Sequence, residues 1–130
     1  MTSLASRNFT AFLGARDRDK TRAFYRDVLG FELIGDDHFA LIFKLHNGVL
    51  RISPMPNYTP QPFTALGWEV PDIVAAVKEL NAAGITFERF DGMGQDELGI
   101  WTSPTGAKVA WFKDPDGNTL SVSEHPELKR

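Results

Sequence analysis

The chain has 130 residues, of which 42% are apolar and 24% charged, with a formal net charge of −3 and no cysteine. That length favours one compact domain with one core, and the lack of cysteine excludes disulfides, thiolate catalysis and cysteine-ligated zinc or iron–sulfur. No basic run exceeds two residues, so a clustered positive face for nucleic acid is not expected, and no apolar run approaches the roughly 20 residues of a membrane span.

The polar start, Met1-Thr2-Ser3-Leu4-Ala5-Ser6-Arg7, carries no hydrophobic signal region, so a cytoplasmic location is expected. Phe9 to Ala15 is short and apolar and reads as a buried strand. Asp17 or Asp19 can cap the helix that follows, whose apolar residues Phe24, Tyr25, Val28 and Leu29 share one face, and Gly30 supplies its stop. Phe31 to Ile34 reads as a strand, Gly35-Asp36-Asp37 as a turn and Phe39 to Leu45 as the next strand. His46-Asn47-Gly48 is a hairpin signal leading into Val49 to Ser53. Pro54 to Pro62 holds four prolines in nine residues and reads as a stiff, extended linker.

The pattern then begins again. Ala65 to Val70 is a predicted strand, and Asp72 is the N-cap of a helix with Ile73, Val77 and Leu80 on its inner stripe and Gly84 at its end. Ile85 to Arg89 reads as a strand and Phe90 to Glu97 as a loop. Leu98 to Thr102 and Lys108 to Lys113 form a hairpin around Ser103-Pro104-Thr105-Gly106. Asp114-Pro115-Asp116-Gly117-Asn118 has firm turn chemistry: Pro115 presets φ, Asp114 can bond back to the turn backbone, and Gly117 can take a positive φ. Thr119 to Glu124 alternates as a last strand, and Pro126 to Arg130 is a polar tail. The chain therefore holds two copies of strand–helix–strand–strand–strand, with modules of about 8–54 and 63–125. From Asp17 to Gly30 is 13 positions and from Asp72 to Gly84 is 12, at an offset of 55 residues between the two aspartates. Such a unit cannot cover both faces of its own sheet, and two of them can enclose a concave surface.

The stretches ARDRDKTRAFYRDVLGFEL (Ala15 to Leu33), WEVPDIVAAVKELNAAGI (Trp68 to Ile85) and WFKDPDGNTLSV (Trp111 to Val122) resemble the vicinal oxygen chelate superfamily: glyoxalase I, extradiol dioxygenases, fosfomycin-resistance and bleomycin-binding proteins. The likeness runs from Phe9 to about Glu124. It implies an α+β fold of two tandem βαβββ modules in a single glyoxalase-like domain, with a curved mixed sheet around a cavity. Fold alone does not give function. Enzymes of that family hold one divalent metal with four inward side chains, two per module, and the metal polarises a substrate oxygen or activates a water. Carried over residue by residue, seven before Asp17 is Thr10, seven before Asp72 is Ala65, and seven after Asp114 is Ser121; the fourth position falls on Arg51 in VLRIS. None is an ordinary ligand for such an ion: alanine has no donor atom, and arginine stays protonated. No metal cofactor is therefore expected, and the last strand reads as a cavity wall without its catalytic carboxylate.

The histidines, His38, His46 and His125, sit at predicted turns or near the tail and read as solvent-exposed polar residues. Glu124 is three past the family glutamate position, so the period of a strand puts it on the opposite face. A displaced metal site using Glu69 and one histidine is an alternative. Alternation predicts that Thr10, Phe12 and Gly14 face the cavity, with Ala11 and Leu13 beneath a helix. Arg51 brings Val49 and Ser53, Ala65 brings Gly67 and Glu69, and Ser121 brings Thr119 and Ser123. Arg51 and Glu69 either satisfy each other as a pair or are solvated, or Arg51 receives an anionic or carbonyl-bearing ligand. Trp101 and Trp111 either stack on a flat ligand or fill the core.

Two functions follow. The first is a metal-free binding module, similar to the bleomycin-type sequestering proteins, that holds a small, partly aromatic or anionic molecule on Thr10, Phe12, Arg51, Glu69, Trp101, Trp111 and Ser121. The second is a lyase, isomerase or dioxygenase-like enzyme with a displaced metal, or one using Glu69 as general base. The family commonly dimerises, so a homodimer is expected, with a small molecule as the other partner and neither nucleic acid nor membrane.

Overall fold

The structure, a computed structural model, describes residues 3–130; Met1 and Thr2, the first two of the polar start, lie outside the described residues. The chain divides into two compact units, Met1–Pro60 and Gln61–Arg130. The boundary falls inside the proline-rich stretch. The fold is α+β, with each unit a βαβββ module on a mixed four-stranded sheet.

In the first unit β1 (Phe9–Ala15) pairs parallel with β4 (Gly48–Pro54), and β3 (Leu41–Leu45) joins β4 to β2 (Leu33–Asp36) in the order β1-β4-β3-β2. The parallel pair needs a crossover, supplied by α1 (Arg18–Arg22) and its continuation as a π-helix over Ala23–Val28. Asp17 caps this helix: its side chain accepts from Lys20 N at 3.1 Å. In the π segment Leu29 N–H donates to Phe24 O, five residues back, at 2.9 Å. Gly30 ends the helix with φ of 81°, where a Cβ would be strained. The helix covers one face of the sheet. Tyr25, fully buried, lies 5.6 Å from the Phe43 ring, and Leu13, Leu41, Leu50 and Ile52 complete this core. Arg18 and Arg22 fasten the helix to β2 through Asp36, at 2.7 and 3.0 Å.

In the second unit the order is β5-β8-β7-β6, with β5 (Thr64–Glu69) parallel to β8 (Thr119–Glu124), then β7 (Lys108–Lys113) and the two-residue β6 (Trp101–Thr102). The crossover is α2 (Ile73–Ala82). Asp72 caps it, accepting from Ala75 N at 3.1 Å, and Glu124 from β8 accepts from Ile73 N at 3.0 Å. Two carboxylates thus meet the free N–H groups of one helix end. Ile73 and Val77 are fully buried with Ala110, Phe112, Leu120 and Val122, as the inner stripe required, while Leu80 is half-buried. Among the described residues no helix is long and apolar enough to cross a membrane.

Several elements differ from the sequence reading. The second strand is Leu33–Asp36 rather than Phe31 to Ile34, because a bulge between Leu33 and Gly35 shifts its register and draws Gly35 and Asp36 into the ladder. The next strand begins at Leu41: Asp37 Oδ1 accepts from Phe39 N and Ala40 N and holds them in the turn. Ile85 to Arg89 is not a strand. Its alternation is real, since Ile85 and Phe87 are buried and Phe87 meets Phe112 edge-on at 5.5 Å, but among the described residues only Glu88 N–H reaches the sheet backbone, at Trp111 O. The predicted strand Leu98 to Thr102 shrinks to Trp101–Thr102 because Asp96 Oδ1 engages Leu98 N and Ile100 N. The Asp114 turn is as expected and deeper than expected. Asp114 Oδ1 accepts from Asp116 N and Asn118 N, both at 2.9 Å, its Oδ2 accepts from Asn118 Nδ2 at 2.8 Å, and all three residues are buried.

Candidate functional site

Each sheet has one face under its helix, and the residues singled out in the sequence lie on the other. In the first unit the register aligns Thr10 with Val49 and Phe12 with Arg51, and Arg51 with Ile42 on the far side. Neighbours in register share a face, so Thr10, Phe12, Val49 and Arg51 stand together as predicted, and Ile42, which was not foreseen, joins them. Phe12 is 67% exposed, a large ring at the surface. Arg51 is half-buried, and among the described residues no carboxylate forms an ion pair with it. It feels Asp37 at longer range. The Asp37 carboxyl is held below its usual range, first by the backbone N–H of Phe39 and also by the Arg51 charge. Thr10 lines a cleft of about 290 Å³ with Lys44, Val49 and Ile34, and His46 stands at its rim. Gly14 is on this face as predicted, but it is covered: a Cβ there would lie 2.2 Å from the Tyr58 ring, so the glycine admits the ring onto the strand.

In the second unit the register places Ser121 between Gly67 and Trp111, and Ser123 between Glu69 and Val109. Ser121 is buried, with its hydroxyl over Gly67: a Cβ added to Gly67 would meet Oγ at 2.3 Å. Ala65 does not take the regular inward position expected of it. The ladder jumps from Thr64 opposite Thr119 to Leu66 opposite Leu120, leaving Ala65 as the extra residue of a bulge. The freed neighbour has a use, since Thr64 Oγ1 accepts from Trp111 Nε1 at 3.0 Å.

Around Trp111 the unit builds an aromatic surface. Trp101 lies 6.1 Å from it with planes tilted by 36°, and Phe90 meets it edge-on at 5.5 Å. Both tryptophans are half-buried, neither core nor free. Phe90 comes from the loop whose path the sequence left open. Gln95 sets that path: its Oε1 accepts from Phe90 N at 2.7 Å, and its Nε2 donates to Glu88 O and Gly99 O. Phe63, Thr64, Phe90, Met93, Trp111 and Thr119 then line a cleft of about 220 Å³, with Pro62 at its edge. Phe63, Phe90 and Met93 were not singled out in the sequence. The cue was there in Gln95, a lone amide between two glycine-flanked turns that needed partners.

Glu69 was offered Arg51 as a partner. The partner the structure gives it is Arg130, at 2.7 Å. Glu69 is also exposed, so it lacks the dry surroundings that a carboxylate base requires. His38 and His46 are exposed, as expected. His125 is not: its ring is three-quarters covered, with Nε2 at 2.9 Å from Ser123 Oγ and Nδ1 at 3.2 Å from Glu127 Oε2. The tail turns back on the strand end, which the sequence reading did not foresee.

The four positions at which the family's enzymes hold an ion thus carry an exposed hydroxyl, a guanidinium, a bulged methyl and a buried hydroxyl. This donor set does not fit a divalent metal. Within neither unit do three or more His, Asp or Glu side chains gather as a ligand set, among the described residues.

A family model described as the Glyoxalase/Bleomycin resistance protein/Dioxygenase superfamily matches residues 8–122. Among solved structures, a superfamily member from Sphaerobacter thermophilus DSM 20745 is similar with a TM-score of 0.71 at 23% identity, covering 92% of this chain and 97% of its own. The protein SMU.1112c gives 0.68 at 28% identity, over 88% and 96%. A lactoylglutathione lyase from Agrobacterium tumefaciens gives 0.69 at 22% identity, over 92% and 93%.

Proposed function

The chain belongs to the Glyoxalase/Bleomycin resistance protein/Dioxygenase superfamily, and from that premise we propose that it is a small-molecule-binding protein that works without a resident metal and holds a partly aromatic or anionic ligand. The observation that carries this reading is the pairing of Trp111 with its neighbours on the face where Ser121 replaces the family carboxylate. Trp101 and Phe90 flank an indole whose N–H is already held by Thr64, leaving an apolar cleft edged by rings. A flat guest gains burial and edge or face contacts there without any group to activate it. Arg51 supports the anionic part of the proposal. A half-buried guanidinium without an ion pair among the described residues offers a planar fork of donors to a carboxylate or phosphate. Family likeness also supports a homodimer.

The test is titration with 1-naphthoate, a flat aromatic carboxylate, read by tryptophan fluorescence in buffer with and without EDTA. Saturable quenching, equal in both buffers and lost in Trp111→Ala, is expected. Calorimetric titration with Mn²⁺, Ni²⁺, Zn²⁺ and Fe²⁺ accompanies it; one ion bound per chain at micromolar affinity or better would overturn the reading in favour of a metalloenzyme.

A further inference from the structure

The end of β8 carries three side chains in file. Ser123 and His125 are two residues apart, so the pleat sends both to one side. Pro126 then occupies the second position of a turn closed by Leu128 N–H donating to His125 O at 3.4 Å, where its fixed φ belongs. The turn carries Glu127 back beside the imidazole. The resulting order is Ser123 Oγ, 2.9 Å, His125 Nε2, then His125 Nδ1, 3.2 Å, Glu127 Oε2. A carboxylate at Nδ1 favours the tautomer with its proton there, and the Nε2 lone pair then faces the hydroxyl.

Two further observations bear on the same group. Glu127 Oε1 is buried and has no hydrogen-bond partner among the described residues. A carboxylate with an unmet buried oxygen is stabilised by positive charge beside it, and the imidazole at 3.2 Å supplies one when Nε2 takes a proton. Across the parallel ladder Ser123 faces Glu69, which is paired with Arg130 at 2.7 Å. Ser123 itself is half-buried and reachable.

We propose that Ser123 is an acyl-accepting nucleophile, with His125 as its general base and Glu127 as the positioning residue, acting on small activated esters. The hydroxyl oxygen attacks the ester carbonyl carbon and its proton passes to His125 Nε2. The carbon–oxygen bond to the leaving group breaks as the tetrahedral species collapses, and His125 returns the proton to the departing alkoxide. Water, deprotonated by the same nitrogen, then releases the acid and restores Ser123. None of these steps depends on whether the aromatic cleft binds a guest.

The test uses the full chain and diisopropyl fluorophosphate, whose phosphorus takes a nucleophilic serine oxygen and expels fluoride. Peptide mass mapping should find one adduct per chain, on Ser123, absent from Ser123→Ala. His125→Gln should slow labelling by about a hundredfold or more. Glu127→Gln keeps a hydrogen-bond acceptor yet removes the charge; it should slow labelling about tenfold or more at unchanged melting temperature, and Glu127→Asp should recover part of the rate. With 4-nitrophenyl acetate the native chain should release a burst of one nitrophenolate per chain, and Ser123→Ala none. Failure to label, an adduct elsewhere, or Ser123 labelling that His125→Gln leaves unchanged each overturns the proposal.

Discussion

The Asp114 carboxylate is the clearest place to put a number on what this chain's most recognisable motif does. At least three donors converge on it: two buried backbone N–H groups and the Asn118 amide, all within 2.9 Å. Asp114→Ala removes these acceptors at once and leaves the donors in a buried site. A buried donor stripped of its partner costs about 1–3 kcal/mol, so three of them, partly relaxed, put the loss at about 3–5 kcal/mol. For a chain of this size that is a fall in melting temperature on the order of 10–20 °C. Asp114→Asn should cost roughly half as much. Its oxygen can still serve the two backbone groups, but its NH₂ would then oppose the Asn118 NH₂. Adding Asn118→Asp to that variant restores a donor–acceptor pair and should recover most of the loss. Circular dichroism melts and urea unfolding of the four proteins measure this. If Asp114→Ala melts within a few degrees of the native chain, or keeps its stability while losing ligand binding, the turn is a contact loop and the structural reasoning fails.

Gly48→Ala should unfold at markedly lower urea, because its Cβ would sit 2.0 Å from the Phe9 carbonyl oxygen and two paired backbones would have to part, at a cost of about 1–3 kcal/mol or more. Arg51→Ala should abolish binding of a small carboxylate such as benzoate, read by calorimetry, while changing stability by less than about 0.5 kcal/mol; a large stability loss in its melt would show the guanidinium to be structural. Stability should fall with acid. Hydrogen bonding to Arg18 above all, and to Arg22, holds the Asp36 carboxyl below its usual range. A lowered folded-state value means that its contribution is complete above the unfolded value near pH 4 and is lost as pH falls through the folded one. Melting temperature measured from pH 7 down to pH 2.5 should thus be flat at first and then drop, and Asp36→Asn should drop less steeply in the acid range.

What the sequence made legible was whatever rests on local chemistry. Asp17 and Asp72 were readable as caps because a short carboxylate before a helical stripe has one good use, and Gly30 and Gly84, at φ of 81° and 97°, because few other residues stop a helix that way. The Asp114 turn and the His46–Asn47 hairpin were legible for the same reason. Long-range partners were not. Ile85 and Phe87 alternate like a strand, yet they pack onto the sheet's core face without joining its ladder, and periodicity alone does not separate those outcomes. Bulges at Gly35 and Ala65 move a register by one residue with no composition signal strong enough to place them. Phe90 reached Trp111 through the side chain of Gln95, a bond from an amide to backbone several residues away. Ser123, His125 and Glu127 were in plain alternation, but the tail looked polar and free, and only the turn at Pro126 brings the third member home.

The wider coil over Ala23–Val28 explains a small discrepancy in the chain's arithmetic. Cap to stop is 13 positions in the first module and 12 in the second, and the longer one contains the five-residue hydrogen-bond spacing. The surplus residue is taken up within the helix itself, so Asp17 and Gly30 keep their places at the ends of the flanking strands. Superposing the two halves therefore calls for the gap inside this helix, within Ala23–Val28, rather than in a loop.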